Sequence, residues 1–247
     1  TLGPFRAARD RFPEIYTRHQ LRPQVRHLRG LIPPLSLLSI CAETPHLRVP
    51  SPESRHPTLE ARAPMPDRPF RYIDPAHLLA HRFQKNDRPP PWETVVLCFR
   101  DMPSSLALVD AFGGKPETGN ALWGIDAGFG RSQVYTATVC GKPVGIVAFC
   151  IWGGPQAAIL AEELACLGVK TIIGYGAVGG LTADLAQGTQ IVIDNALLTD
   201  GTSRSYTDGP VRADTDLLDL AGSITRVTGA TVDAIYRETP ELIDDLR

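Results

Sequence analysis

The glycine-rich run Gly174–Gly180 is the part of this sequence whose residue types and spacing point most directly to chemistry. It follows the apolar run Val169–Ile173 without a break, so the glycines stand where a buried strand is expected to end. Glycines at the carboxyl end of such a strand allow backbone N–H groups to approach a ligand closely. The sequence therefore predicts a small-molecule site at this turn.

The elements before the turn form a strand–helix–strand pattern. Val144–Phe149 and Thr171–Ile173 are apolar runs, and the helical pattern Gln156–Leu167 lies between them. Parallel strands that are buried on both faces have continuous apolar sequences of this kind. We expect these two strands and Gln190–Ile193 to be neighbours in one sheet, with the helix as the connection between the first two.

The rest of the region from Trp92 onward is also typical of an α/β fold. It contains a buried strand that ends just before Arg100, a short helix, a β-hairpin, a later strand and a C-terminal helix. In chain order these are Val95–Phe99, Leu106–Phe112, Arg131–Val139 paired with the Val144 strand, Thr225–Val232 and Thr239–Arg247. The sequence thus predicts a mixed, largely parallel central sheet flanked by helices.

Two regions of different composition divide the chain. Residues 1–91 are rich in Arg and Pro, carry an excess of basic residues and contain all 6 histidines, whereas residues 92–247 carry an excess of acidic residues. We expect an N-terminal extension over 1–91 and one α/β domain over 92–247. The extension is either a nucleic-acid-binding arm or an arm that wraps over its own acidic domain or a neighbouring subunit. We favour the second, because aromatic residues do not interleave with the arginines.

Composition indicates a soluble protein of the cytoplasm. Of the 247 residues 43% are hydrophobic, yet no apolar run approaches the ~18–20 residues that span a membrane, and no signal-peptide pattern opens the sequence. The 5 cysteines are odd in number and lack CxxC spacing, which favours buried free thiols over disulfides or a zinc site. The histidines also lack paired ligand spacing, so we expect no metal.

Several short motifs, taken in order, resemble the nucleoside phosphorylase family. This family includes uridine phosphorylase, hexameric purine nucleoside phosphorylase and the nucleosidases that act on methylthioadenosine. The resemblance covers about residues 95–247 and is densest over 135–206. The motifs are Gly141-Lys-Pro-Val-Gly-Ile-Val147, Gly153-Gly-Pro155, Ala157-Ala-Ile159 with Glu162-Glu-Leu164, Leu167-Gly-Val-Lys-Thr171, Gly176 with Gly179-Gly-Leu181, and Asp200-Gly-Thr-Ser203. The resemblance implies a phosphorylase-like sheet with nucleoside bound at the carboxyl ends of the strands.

The chemistry of this family places demands on the glycine turn. Cleavage of an N-ribosidic bond builds positive charge on the sugar and negative charge on the departing base, and a phosphate nucleophile needs arginines and backbone N–H groups. The family has an Arg-Val-Gly-Ser/Thr pattern where this chain reads Gly174–Ala177, so both the arginine and the hydroxyl are missing. Gly176 and Ala177 remain phosphate-binding candidates by position. Arg100 and Arg131 are the candidates to compensate, unless they are surface or structural arginines.

The resemblance also implies roles for residues around this turn. Asp101 would position an attacking water, as an acidic residue after the first strand does in the nucleosidases, or would cap the turn. Asp200 and Ser203 are interpreted as turn-forming residues. By position, the nucleoside pocket would contain Trp152, as a stacking wall or an ordinary core residue, together with Val178, Gly179, Ile235 and Tyr236.

The expected partners follow from the same resemblance. Relatives pair their subunits so that one site borrows residues from its neighbour, and Arg131 is the candidate for that role here. We therefore expect a homo-oligomer, either a dimer or a hexamer, which binds a small-molecule nucleoside. We expect no cofactor other than inorganic phosphate as a co-substrate, no membrane contact and no nucleic acid.

Three functions remain open at this point. The family's Met-Glu segment, whose glutamate holds the ribose hydroxyls, is absent from the sequence, which implies either a longer protein or a reduced homologue. The first function is phosphorolysis of a purine or pyrimidine nucleoside to free base and ribose 1-phosphate; the others are hydrolysis by water and non-catalytic nucleoside binding or assembly. We rank phosphorolysis first, because Gly153–Pro155 and Asp200–Ser203 are most like the phosphorylase branch.

Overall fold

A computed structural model describes residues 73–82, 90–117, 122, 125, 132–150 and 153–247. Most of the predicted extension over 1–91 lies outside these residues, so the predicted domain boundary stays a prediction. Among the described helices, none is long and apolar enough to cross a membrane. Two of the predicted site residues, Arg131 and Trp152, also lie outside the described residues.

The described helices and strands alternate along the chain. The helices are α1 (Pro75–Arg82), α2 (Met102–Ala111), α3 (Gly154–Cys166), α4 (Gly201–Arg204), α5 (Thr215–Leu220), a 3₁₀ turn (Ile235–Arg237) and α6 (Pro240–Leu246). The strands are β1 (Thr94–Phe99), β2 (Lys115–Pro116), β3 (Val134–Val139), β4 (Lys142–Val147), β5 (Thr171–Gly176), β6 (Ile191–Leu197), β7 (Val211–Arg212) and β8 (Thr225–Ala230). The α/β fold class predicted from the sequence is confirmed, and the predicted elements are found close to their expected positions.

Five strands form the main sheet in the order β2-β3-β4-β1-β5. β1 pairs in parallel with β4 on one side and with β5 on the other, while β3 pairs with β4 in the predicted antiparallel hairpin. The hairpin turn is tight, with positive φ at both Cys140 and Gly141. Positive φ at both central residues is typical of a turn that matches the twist of a two-stranded ribbon.

The predicted strand order was wrong in two respects. β4 and β5 are not neighbours, because β1 lies between them, and β6 belongs to a second sheet of order β7-β6-β8. β1 takes an interior place between β4 and β5 because its residues Val95, Leu97 and Cys98 are buried on both faces of the sheet. β6, by contrast, is interrupted at Asp194 by a register shift against β8 and is only half-buried. An apolar run shows that a strand is buried but not which strand lies beside it.

Helices cover the main sheet on both faces. On one face α1 and α3 contribute Leu79, Leu160 and Leu164, which are fully buried against Val95 and Leu97. On the other face α2 packs its Leu108 and Val109 against Cys98, Tyr135, Ala137 and Ile146. Leu79 precedes residue 92, so part of the predicted extension belongs to this core.

The cysteines mostly behave as the sequence predicts. Cys98, Cys150 and Cys166 are not disulfide-bonded, and the first two are buried. Cys140 departs from the prediction because it is disulfide-bonded.

One glycine in the main sheet is required by packing. A Cβ added at Gly145 would lie 2.6 Å from Cδ2 of Trp92, whose indole is buried against β4. The indole is held in place because its Nε1 donates a hydrogen bond to Oγ1 of Thr136 on β3 (2.7 Å). The tryptophan therefore occupies the space that a side chain at position 145 would need.

We expect Gly145→Ala to lower the free energy of unfolding by about 1–3 kcal/mol, because the new methyl group must displace a buried ring. Gly174→Ala in β5 is the matched control, since a Cβ there meets no atom within 4 Å and the backbone φ is not left-handed. The control is expected to stabilise the protein by roughly 0.4–1 kcal/mol, because alanine lowers the conformational entropy of the unfolded chain. Urea unfolding of both variants measures the difference, and equal effects would contradict this account of Gly145.

Candidate functional site

Three strand ends meet at one edge of the main sheet. Phe99 at the end of β1 pairs with Gly176 at the end of β5, and Cys150 beyond β4 donates its N–H to the carbonyl of Cys98 (3.0 Å). Because the three strands are parallel, their carboxyl ends lie side by side, as in other sheets that bind ligands at this edge. Arg100 and Ala177 follow these paired positions and therefore leave the sheet at the same edge, although they are far apart in sequence.

Arg100 has an unused hydrogen-bond donor at this edge. Its Nη2 donates to Oγ of Ser104 (3.4 Å), but its Nε is buried and has no hydrogen-bond partner. A buried donor that is left unpaired costs about 1–3 kcal/mol. An arginine is also the side chain best suited to hold a phosphate or a carboxylate, because its donors form a planar fork.

Asp101 forms the N-cap of α2. Its Oδ1 accepts a hydrogen bond from the backbone N–H of Ser104 (3.3 Å), and Pro103 follows in the first turn of the helix. This is the capping role that we weighed for Asp101. The side chain is also exposed at the carboxyl edge, so its second role, positioning a water molecule, stays a prediction.

The chain itself does not require glycine at the glycine turn. Gly174, Gly176, Gly179 and Gly180 all lie outside the left-handed region of φ. A Cβ would meet nothing within 4 Å at Gly174 and Gly179, and only ordinary contacts at the other two. Neither backbone strain nor internal packing therefore explains these glycines, whereas the close approach of an external group would.

The predicted nucleoside-binding residues are exposed. Val178 and Ile235 are 62% and 57% exposed, and the ring of Tyr236 is 98% exposed. Gly179 is exposed as well. The C-terminal helix contacts this region, since Nε of Arg247 donates a hydrogen bond to the carbonyl of Leu181 (2.9 Å). The described chain thus brings Arg100 and the glycine turn together but leaves the Tyr236 ring uncovered, and the pocket roles stay predictions.

The Asp200 turn has the structural role predicted for it. Asp200 is 2% exposed and caps α4, because its Oδ1 accepts the N–H of Ser203 (2.7 Å). Burial by itself opposes ionisation, but hydrogen bonds from the backbone and hydroxyl of Ser203 and from backbone N–H groups outweigh it, so the pKa of Asp200 lies below its usual value. A Cβ at Gly154 would lie 3.0 Å from this carboxylate and 3.0 Å from Cβ of Thr202. Gly154 therefore allows the turn to pack against the start of α3.

A further residue at the carboxyl edge was not singled out from the sequence. Ser105 is fully buried on α2, where its Oγ donates to the carbonyl of Arg100 (3.2 Å) and accepts from the N–H of Phe149 (3.2 Å). Phe149 has a φ of 57°, in the left-handed region that non-glycine residues rarely adopt. The sequence signal that could have identified Ser105 is its position, because it is a polar residue on the apolar face of a helix.

Two buried cysteines lie near this edge of the sheet, Cys98 and Cys150. Burial raises the pKa of Cys150 to about 12 and also raises that of Cys98, so both are protonated near neutral pH. Among the described residues, no three His, Cys, Asp or Glu side chains are grouped so that they could hold a metal ion.

Comparison with known proteins places the chain in a family. The model of the phosphorylase superfamily matches residues 102–247, which is more than half of the chain. The chain therefore belongs to the phosphorylase superfamily, and the resemblance seen in the sequence is confirmed.

Two curated relatives match parts of this region. The uridine phosphorylase of Treponema pallidum (strain Nichols) is 41% identical over 80 residues, which are 32% of this chain and 31% of that protein. The guanosine phosphorylase of Halorubrum lacusprofundi is 34% identical over 118 residues, which are 44% of this chain and 46% of that protein. The matches thus span less than half of the length of these relatives.

Solved structures share the fold. The purine nucleoside phosphorylase of Toxoplasma gondii, solved in complex with immucillin-H, superimposes with a TM-score of 0.52 at 21% identity over 63% of this chain and 64% of that one. The uridine phosphorylase of Vibrio fischeri ES114 gives a TM-score of 0.50 at 21% identity over 62% and 65% of the two chains. At this identity the likeness concerns the architecture.

The Asp200 turn gives a prediction about acid stability. Asp200→Asn keeps an oxygen for the N–H of Ser203 but removes the charge. The pKa of Asp200 is lower in the folded than in the unfolded state, so its charge stabilises the fold at pH values above the unfolded-state pKa, which is near 3.9. This stabilisation is lost as the pH falls through the folded-state pKa. We expect the wild type to be more stable than the variant at neutral pH and the difference to shrink below about pH 4.

Urea unfolding at a series of pH values measures this difference. Asp208→Asn, which removes an exposed carboxylate from a neighbouring loop, is the control and should change stability little at any pH. A difference between wild type and Asp200→Asn that does not change with pH would contradict the interpretation.

Proposed function

We propose that this protein cleaves the N-ribosidic bond of a nucleoside by phosphorolysis, releasing the free base and ribose 1-phosphate. Membership of the phosphorylase superfamily supports the reaction class, and two relatives that match part of the chain are a uridine and a guanosine phosphorylase. Inorganic phosphate is the co-substrate in this proposal. The base and the predicted dimer or hexamer stay predictions.

The observation that carries the proposal is the arrangement of Arg100 beside the glycine turn. Register between β1 and β5 sets Phe99 opposite Gly176, so the backbones of Arg100 and Ala177 follow directly from paired strand ends. The backbone of the turn is exposed, and among the described residues no atom lies within 4 Å of a Cβ placed at Gly174 or Gly179. Within the same described part of the chain, Nε of Arg100 is buried and has no hydrogen-bond partner. Backbone N–H groups and an arginine together are the donor set that a phosphate needs.

Hydrolysis is the second candidate, and one observation favours it. Gly174 and Ala177 supply neither the charge nor the hydroxyl of the family's phosphate pattern, while the carboxylate of Asp101 is exposed at the same edge. A carboxylate in this position has the chemistry to orient a water molecule. The two candidates predict opposite responses to phosphate and to changes at Asp101.

The glycine turn supplies a first test. Gly179→Ala adds one methyl group in open space at ordinary φ, so we expect the thermal midpoint to stay the same or rise. If a substrate approaches the backbone here, the same methyl group should raise KM for the nucleoside roughly tenfold or more, which corresponds to about 1.4 kcal/mol of lost binding. Steady-state kinetics and thermal unfolding of one preparation measure both. An unchanged KM would contradict ligand approach at this turn.

The attacking group is tested with the full-length protein and a panel of nucleosides, with and without phosphate, by detecting the free base. We expect cleavage to depend on phosphate and Arg100→Ala to lower kcat/KM for phosphate roughly ten- to hundredfold, the size of a lost charge-assisted hydrogen bond. Arg131→Ala tests the second candidate arginine. Arg212→Ala removes an exposed arginine from the second sheet and serves as the control.

Two outcomes would contradict the proposal. One is undiminished phosphate-dependent turnover in the Arg100/Arg131 double variant, which would show that neither arginine holds the phosphate. The other is cleavage that is indifferent to phosphate and is lost in Asp101→Asn, which would establish hydrolysis. Asparagine retains the capping oxygen, so this variant separates a chemical role of Asp101 from its structural role.

A further inference from the structure

Two backbone segments border the carboxyl edge of the main sheet. One is the turn that starts at Arg100 and enters α2, and the other is the segment from Phe149 that leads toward the start of α3 at Gly154. Ser105 contacts both, because its hydroxyl donates to the Arg100 carbonyl and accepts from the Phe149 N–H, at 3.2 Å in each case. One hydroxyl therefore fixes the spacing between the two segments.

The backbone at Phe149 is held in a costly conformation. A left-handed φ at a bulky residue costs about 1–3 kcal/mol and persists only where surrounding contacts hold it, and such strain concentrates at functional sites. The hydrogen bond to Ser105 is one such contact, and the burial of the Phe149 ring against the α2 face of the sheet is another. The strained backbone at Phe149 is therefore held by two contacts, the hydrogen bond to Ser105 and the packing of its ring.

The hydroxyl of Ser105 has no freedom to serve another group. Besides its two backbone partners it lies 3.3 Å from Sγ of Cys98, and the residue is fully buried. It does not reach solvent and cannot touch a ligand. Its influence on chemistry must therefore pass through Arg100, whose Nε is buried at the same turn without a partner.

We propose that Ser105 is a positioning residue that holds the Arg100 turn against the strained segment at Phe149, just beyond β4, so that the Arg100 guanidinium meets phosphate. The inference rests on the proposed phosphorolysis, since it assigns Ser105 to the phosphate side of that reaction. Loss of the hydroxyl leaves the Phe149 N–H unpaired and releases the Arg100 carbonyl. The guanidinium then loses its fixed placement. The backbone beyond Ala177, which belongs to the proposed nucleoside-binding surface, keeps its conformation.

The test compares Ser105→Ala with Ser105→Thr and with Thr136→Val in the full chain. Thr136→Val is the matched structural control, because it removes the hydroxyl that accepts a hydrogen bond from Nε1 of the buried Trp92. Thr136 lies on β3 opposite Gly145 of β4, away from the carboxyl edge. Ser105→Thr keeps the hydroxyl. Thermal midpoints are measured for all three, together with KM for phosphate, KM for nucleoside and kcat.

We expect Ser105→Ala to raise KM for phosphate roughly three- to tenfold, the range of one net hydrogen bond, with KM for nucleoside unchanged. Ser105→Thr should restore KM for phosphate. Thr136→Val should lose thermal stability and leave both KM values as in the wild type. If Ser105→Thr does not fold, the comparison of Ser105→Ala with Thr136→Val decides alone.

Each contrary result has its own meaning. If wild-type turnover depends on phosphate but Ser105→Ala leaves KM for phosphate unchanged, or Thr136→Val raises it equally, the proposal for Ser105 is overturned and phosphorolysis stands. If wild-type turnover is indifferent to phosphate, phosphorolysis is overturned, and with it the assignment of Ser105 to phosphate. A wild type that cleaves no nucleoside and does not bind inorganic phosphate by calorimetry overturns both.

Discussion

The burial of β1 on both faces of the main sheet is the constraint on which the rest of the structure depends. Val95 and Leu97 pack against α1 and α3, while Cys98 packs beneath α2, so β1 is stable only between two other strands. Its neighbours β4 and β5 run parallel to it, which brings three carboxyl ends to one edge. The chain turns into α2 directly after β1, and this turn is where Arg100 stands.

The glycines of this chain fall into two physical groups. Gly145 and Gly154 are required from within, because a Cβ would collide with Trp92 in one case and press on Asp200 and Thr202 in the other. A Cβ at Gly174 or Gly179 would meet no atom of the described residues within 4 Å, and the backbone φ is not left-handed, so packing within this part of the chain does not require glycine there. The atoms that an added methyl group would meet thus distinguish glycines that internal packing requires from glycines that an approaching ligand would explain.

The departure from the family pattern has a physical account in the sheet register. In the family pattern given above, the arginine belongs to the segment that reads Gly174–Ala177 here. In our proposal its part is taken by Arg100, which follows the neighbouring strand. Because Phe99 pairs with Gly176, the two strand ends lie side by side, so residues that follow either strand leave the sheet at the same edge. Superfamily membership and an altered arginine position are therefore compatible.

The sequence by itself determined the α/β class, the helix α3, the hairpin and the turn-forming role of Asp200, because apolar periodicity, glycine boundaries and turn residues act over a few neighbours. It also located the glycine turn and Arg100 as candidates. Only the tertiary structure decided that β1 separates β4 from β5, that β6 joins a second sheet, and that Ser105 links Arg100 to Phe149. Strand pairing and contacts of this kind involve residues that are distant in sequence. An apolar run can pair with any of several other strands, and only the packing of the whole core selects among them.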